Sequence, residues 1–241
     1  MIFSFKSDKG NIREHNEDAY AYQEIKSGFF CVAIADGMGG HNCGEIASRF
    51  AVDETIKFLS NIEKLDESDF KLVLFDAIKK ANEKIILQSK KNPAYSGMGT
   101  TIVLVLFAKD HVHIAHVGDS RAYLIKNQDL VQITKDHSYI EELVKIGYIN
   151  REEADKHPRK NVITKALGAF EGSEPDYTEI KITKNEMILL CTDGLTNMIT
   201  NEEFAEIVKK NKTPERLCER LMKTALKNGG RDNITVAAIK Y

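Results

Sequence analysis

The feature that most constrains this chain is a set of short, continuous apolar runs, several of which stop at an acidic residue. Phe29–Ala35 (FFCVAIA) meets Asp36, His111–Val117 is followed by Gly118 and Asp119, and Met187–Cys191 is followed by Thr192 and Asp193. Runs of this length without polar alternation read as strands covered on both faces. Thr100–Ala108, rich in β-branched residues, and Ile234–Ile239 are of the same kind, and Thr178–Ile182 adds a further strand. Ile2–Ser7 alternates apolar and polar, and Arg121–Ile125 with Leu130–Thr134 reads as a hairpin around Asn127–Asp129.

Helical segments come in pairs between these groups of strands. Glu45–Asn61 carries Ile46, Phe50, Ile56 and Leu59 near helical spacing. From about Ser68 to Lys90, Phe70, Leu74, Ile78, Ala81 and Ile85 make one apolar stripe, which Asn92-Pro93 ends. Asn201–Lys209 and Thr213–Lys227 form a second pair, and a charged helical insertion runs from Tyr139 to about Lys160. Consecutive strands between helix pairs, rather than strict alternation, predict an α+β fold with helices outside antiparallel sheets.

Composition narrows the function classes. The 241 residues, 42% hydrophobic, suit one large domain with an ample core. Thirty-four basic residues against 36 acidic ones argue against a general nucleic-acid or membrane-surface role. The N-terminal residues lack a basic region followed by an apolar stretch, and Thr101–Ala108 is too short to cross a bilayer, so a cytoplasmic protein without membrane segment is expected. Cys31, Cys43, Cys191 and Cys218 form no Cys-x-x-Cys pair, which leaves zinc and disulfide frameworks without support. Cys31 and Cys191 sit in strand-like runs and read as buried, inert thiols.

The chemistry is carried by the aspartates. Asp36, Asp119 and Asp193 follow buried strands, Asp232 precedes one, and Gly37 and Gly194 follow Asp36 and Asp193 directly. Any one of them alone reads as a turn or cap residue. Together they imply a cleft of like charges, which would be largely protonated unless divalent cations offset the repulsion. An all-oxygen donor set favours Mg²⁺ or Mn²⁺ over zinc. Of the strand histidines, His111 and His113 face one way and His116 the other, so they cannot chelate one ion. His41, after the Gly37–Gly40 turn, is a candidate for proton transfer, or a helix-start residue facing water. The site predicts a metal-dependent hydrolase, and the lack of a basic stripe disfavours a nuclease.

Six ordered motifs add a resemblance. Arg13-Glu-His-Asn-Glu17-Asp18, Asp36-Gly-Met-Gly-Gly40 with Gly44-Glu45-x-Ala47-Ser48, Gly97-Met-Gly-Thr-Thr101, Val117-Gly-Asp-Ser-Arg121, Cys191-Thr-Asp-Gly-Leu195 and Arg231-Asp-Asn233 resemble the type 2C metal-dependent serine/threonine protein phosphatases, in their compact bacterial branch. The resemblance covers essentially the whole chain. It implies a β-sandwich of two mainly antiparallel sheets flanked by helix pairs, as one catalytic domain over 1–241 with a flap subdomain at about 137–168. It implies two Mn²⁺ or Mg²⁺ ions, with Asp36 bridging, Asp193 and Asp232 completing the first, and the Gly37 carbonyl serving the second. Glu17 and Asp18 act nearby, often through water, and Asp119 with Asp193 resembles a third, weaker site. Arg13 matches the arginine that binds the substrate phosphate, so the implied catalytic residues are Asp36 and Arg13, with His41 as the proton-transfer candidate. Met38 stands where animal members carry histidine.

The implied reaction is direct attack of a metal-bridging water or hydroxide on phosphoserine or phosphothreonine, without a covalent protein intermediate. In keeping with this, no cysteine is followed by the five residues and arginine of a cysteine-based phosphatase. The expected partners are phosphorylated proteins, a serine/threonine kinase among them, met by a monomer that binds no nucleic acid. Two narrower readings are a dedicated regulator of a stress or sporulation pathway and an inactive binding module on the same fold. In the insertion, His157, Arg159, Lys160 and Lys165 either steer an acidic partner or form a solvated face.

Overall fold

In the computed structural model, which describes residues 1–241 apart from 27, 40–42, 67–68 and 170–172, the apolar runs become strands of two antiparallel sheets. One sheet runs in the order β1 (Ile2–Asp8), β11 (Ile234–Lys240), β10 (Met187–Cys191), β7 (Arg121–Lys126) and β8 (Asp129–Gln132). The other runs β2 (Asp18–Glu24), β3 (Phe30–Met38), β5 (Ile102–Ala108), β6 (His111–Val117) and β9 (Asp176–Lys181), with β4 (Gly99–Thr100) beside the end of β3.

Alternation along each strand builds the layers. Val32 and Ile34 of β3, with Val103, Val105 and Phe107 of β5, share one buried cluster with Ile188 and Leu190 of β10 and Ala237 and Ile239 of β11. The intervening residues Cys31, Ala33, Leu104 and Leu106 share another with α1 (Cys43–Ser60) and α2 (Phe70–Lys91). On the far side Leu189, Cys191, Val236 and Ala238 lie against α5 (Asp193–Thr196), α6 (Asn201–Lys210) and α7 (Pro214–Lys227). The result is the expected α-β-β-α sandwich. Because both faces of each central strand are covered, neither face needs polar residues, and each buried Val, Leu or Ile contributes about 1.5–3 kcal/mol.

Three local features go beyond the sequence reading. Strand β2 was not expected, because it begins at Asp18, directly after a charged stretch, and ends at Gln23-Glu24. Its Tyr20 and Tyr22 stack on Phe5 of β1, with ring centroids 5.2 and 4.6 Å apart, and these rings join the edges of the two sheets. Strand β3 continues through Asp36 and Gly37 to Met38 instead of turning at Gly37, since β4 supplies a pairing partner, Thr100 opposite Gly37. The helical insertion, whose division the sequence reading left open, holds two short helices, α3 (Tyr139–Lys145) and α4 (Arg151–Lys156). Gly147 (φ +73°) breaks the first, and a capping box from Asn150 and Glu153 starts the second. The histidine parity holds: His113 meets Phe70 of α2, and His116 stacks on His137.

Register brings the strand ends together. Asp18, at the start of β2, pairs with Asp36 near the end of β3, and Ile102 pairs with Val117. In the other sheet Cys191 pairs with both Arg121 and Val236. The residues just beyond these pairs, Asp119, Asp193 and Asp232, therefore collect at one end of the sandwich.

Candidate metal centre

Asp18 is the most buried of the gathered carboxylates, at 8% exposure. Its Oδ2 accepts the Thr192 hydroxyl at 2.9 Å, while its Oδ1 has no hydrogen-bond partner. Burial, together with the charges of Asp193 and Asp232 and against the hydroxyls of Thr235 and Thr192, pushes Asp18 up to about 7. Asp36 is raised well above the usual carboxylate range by burial and by the charges of Asp18, Asp193, Asp119 and Asp232. Asp119, at the β6–β7 turn, is pushed up to about 8 by burial, Asp193 and Asp136. Asp193 is raised by burial and Asp232, partly offset by a hydrogen bond from Asp36. Without cations, then, burial and mutual repulsion favour the protonated forms of these carboxyls.

That is the behaviour of a hard-cation site. The donors are all oxygen, and the orphaned Asp18 Oδ1 is a buried acceptor with a lone pair to give. Among the described residues no three acidic, histidine or cysteine side chains close into a ready metal cage. Asp232 instead takes Arg13 Nη2 and the Asn233 N–H, each at 2.9 Å.

The N-terminal end of α1 is seated directly on Asp36-Gly37. A Cβ on Gly37 would lie 2.1 Å from the Gly44 carbonyl oxygen and 2.5 Å from that of Glu17, so only glycine fits. A Cβ on Gly44 would meet the Gly37 carbonyl at 2.8 Å and the Glu17 carboxyl carbon at 2.9 Å. Ser48 of α1 donates to the Glu17 carbonyl at 2.6 Å, and the Gly37 N–H donates to the same oxygen at 3.2 Å. Burial raises the Glu17 carboxyl, while Arg13 and the Gly44 N–H pull it back. This seating places Glu17, Asp18, Asp36 and Gly37 side by side.

The surrounding hydrogen-bond partners were not assigned roles from the sequence. Asn233 Oδ1 accepts the Glu17 N–H at 2.9 Å, and its Nδ2 donates to the carbonyls of Lys9 (3.0 Å) and His15 (2.8 Å). The fully buried Thr192 donates to Asp18 and accepts the Thr235 N–H at 2.9 Å. Thr101 Oγ1 accepts the Asp36 N–H at 2.9 Å and lies 2.7 Å from Ser120 Oγ, and Asn197 Nδ2 donates to Asp193 Oδ2 at 3.0 Å. Thr192 and Asn233 stood beside aspartates within the recognised motifs. That adjacency was the only signal, since their partners lie far away in sequence.

Of the predicted residues, Asp18, Asp36, Asp119, Asp193 and Asp232 interact electrostatically in one cleft, with Glu17 and Gly37 beside them and Arg13 exposed at its rim. His41 lies outside the described residues. In the insertion, Lys165 bonds Asp176 at 3.2 Å and Arg159 lies over the Tyr139 ring at 5.6 Å, so both are engaged within the protein.

The chain as a whole is similar to known proteins. The family model described as Protein phosphatase 2C matches residues 11–229. The serine/threonine phosphatase stp of Listeria monocytogenes (serotype 4b, strain F2365) is 40% identical, over 100% of this chain and 96% of that protein. Among solved structures, the serine/threonine phosphatase Stp1 from Staphylococcus aureus aligns with a TM-score of 0.93 at 35% identity, covering 100% of this chain and 95% of that one. The catalytic domain of the serine/threonine protein phosphatase PstP, solved in complex with two manganese ions, aligns with a TM-score of 0.85 at 33% identity, covering 98% and 96%.

Proposed function

This chain belongs to the protein phosphatase 2C family, and from that premise we propose that its acidic cleft hydrolyses phosphoserine and phosphothreonine in proteins, using Mn²⁺ or Mg²⁺. The observation that carries the reading is the buried, unpartnered Oδ1 of Asp18 among carboxylates raised by burial and mutual repulsion. Asp36, Asp193 and Asp232 would hold one cation. Asp36 would share a second with the Gly37 carbonyl, with Glu17 and Asp18 close by, and Asp119 with Asp193 would serve a third, weaker site. When bound, the cations supply Lewis acidity toward phosphoryl oxygens and acidify water.

The chain's own residues account for the rest of the chemistry. Arg13 is exposed at the rim with one nitrogen on Asp232, and its planar fork suits two oxygens of an incoming phosphate. Asn233 holds the segment that carries Arg13 and Glu17 against Asp232, which keeps phosphate-binding and metal-binding groups in register. Thr192 holds Asp18 by Oδ2, which leaves the buried Oδ1 as an acceptor without a partner. In the cell, the reading gives the enzyme phosphorylated proteins as partners, including a serine/threonine kinase that it opposes. Four free, buried cysteines suit a reducing compartment and support placing it in the cytoplasm. No helix among the described residues is long and apolar enough to cross a membrane.

The test is hydrolysis of p-nitrophenyl phosphate and of a phosphothreonine peptide, with Mn²⁺ and with chelator, for wild type and Asp193→Asn. Turnover should require the cation. In the variant it should fall by more than the roughly 10–100-fold that follows loss of an outer hydrogen-bonding partner. Activity that survives chelation, or that Asp193→Asn leaves unchanged, would refute the mechanism.

A further inference from the structure

The root of the insertion grips the turn that carries Asp119. His137, buried at 8% exposure, donates its backbone N–H to the Gly118 carbonyl at 3.0 Å and accepts the Gly118 N–H on its ring Nδ1 at 3.1 Å. Both backbone polar groups of the residue before Asp119 are thus satisfied by one side chain and its own peptide. Gly118 has φ +106°, and a Cβ there would lie 2.5 Å from Thr101, so its conformation is tightly confined. On the other side of Asp119, Arg121 is held by Asp136 through Nε at 3.0 Å and Nη2 at 2.7 Å. Two consecutive residues, Asp136 and His137, therefore clamp Gly118 and Arg121, with Asp119 between them.

The ring chemistry is also set. A ring nitrogen that accepts an N–H carries no proton, so the neutral His137 ring bears its hydrogen on Nε2. That nitrogen faces Asp176 Oδ1 at 3.3 Å; Lys165 Nζ lies 3.2 Å from the same carboxylate oxygen and 3.4 Å from Nε2, and with the hydrogen on Nε2 the ammonium donates to Asp176 and not to the ring. The ring stacks on His116, with centroids 4.7 Å apart and 6° between planes, and His116 Nε2 is engaged by the Lys135 carbonyl at 2.8 Å. The His137 carbonyl accepts the Thr164 N–H at 2.8 Å, which ties in the returning limb of the insertion.

We infer that His137, with its tautomer fixed by Asp176, is a positioning residue that sets the Gly118–Arg121 turn and so presents the Asp119 carboxylate to the acidic cleft. The inference rests on the proposed metal reading for Asp119, but the clamp itself is separable from it. A carboxylate opposite the acceptor face of an imidazole fixes both tautomer and ring orientation; loss of a group that orients a metal-ligating side chain typically weakens metal binding by about 10–100-fold, and His137 would act on Asp119 in that way through the Gly118 backbone.

The experiment compares His137→Asn, whose Oδ1 can replace Nδ1 as acceptor, with His137→Leu, which cannot accept, and with Asp176→Ala, which removes an exposed group and spares the core. Two quantities are read: hydrogen exchange of the Gly118 amide in metal-free protein, and the Mn²⁺ dependence of p-nitrophenyl phosphate hydrolysis. His137→Leu should speed Gly118 exchange and raise the half-maximal Mn²⁺ concentration, each by about tenfold or more, with substrate KM nearly unchanged. His137→Asn should restore most of both, and Asp176→Ala should move both in the same direction as His137→Leu, by less. Unchanged Gly118 exchange in folded His137→Leu would overturn the inference, as would a KM effect without a Mn²⁺ effect. If His137→Leu does not fold, unchanged values in Asp176→Ala overturn it instead. Asp119→Asn is run in parallel. If it leaves the Mn²⁺ dependence unaltered, the metal role of Asp119 fails, and Gly118 exchange still decides whether the clamp exists.

Discussion

Replacing Asn233 by alanine removes three hydrogen bonds from a residue only 5% exposed: one from the Glu17 N–H and two to the carbonyls of Lys9 and His15. Each such bond contributes about 1 kcal/mol net, and a buried group left without a partner costs about 1–3 kcal/mol. Lys9 and His15 are exposed residues whose carbonyls can recover water, whereas Glu17 is half-buried. The expected loss is therefore about 2–3 kcal/mol, which for a chain of this size lowers Tm by about 4–12 °C. The same change frees the segment that carries Arg13 and Glu17, so the Mn²⁺ requirement for phosphatase activity should rise as well. Asn233→Asp is the sharper control. It keeps an acceptor for the Glu17 N–H but sets an oxygen against two carbonyls, and it should destabilise at least as much as alanine. Urea or thermal unfolding of the three metal-free proteins measures the stabilities. An alanine variant within about 0.5 kcal/mol of wild type would refute the reasoning, since that is the range of an ordinary surface change.

Other outcomes follow from the same geometry. Gly44→Ala puts a Cβ 2.8 Å from the Gly37 carbonyl and should cost about 1–3 kcal/mol in thermal unfolding, with reduced activity; an unchanged Tm would mean that α1 is not seated tightly on Gly37. In metal-free protein the carboxyls of Asp18, Asp36, Asp119 and Asp193 titrate above the unfolded value of 3.8, Asp18 at about 7 and Asp119 at about 8. The folded state therefore holds more protons than the unfolded state. This contribution to stability is fully present below 3.8 and is lost progressively as pH rises from there through about 7 to 8. Metal-free Tm should fall across that interval, and Mn²⁺ should restore it most at the upper end; a flat profile in calorimetry would contradict the burial of these charges.

Much of this protein is legible in the sequence because central strands covered on both faces leave a plain local record. Phe30–Ala35, Ile102–Ala108 and Met187–Cys191 are apolar at every position, and Asp36 and Asp193, just beyond the first and the last of these, mark the site in the sequence. The edge strand β2 left no such record, since its outer residues face water and its first residues serve the cleft. For the same reason Asp18 could be placed near the metals only by family resemblance, not by strand context.

The sequence by itself determined which central segments are strands, which helices flank them, and that hard oxygen donors end several strands. Only the tertiary structure decided which of those oxygens meet. Thr192 reaches Asp18 across 174 positions and Asn233 reaches Glu17 across 216, and each contact exists only because antiparallel register brings the strand ends to one pole. Apolar periodicity is a property of a residue and its chain neighbours. A hydrogen bond between distant loops depends on the summed register of every strand between them, which no local pattern encodes.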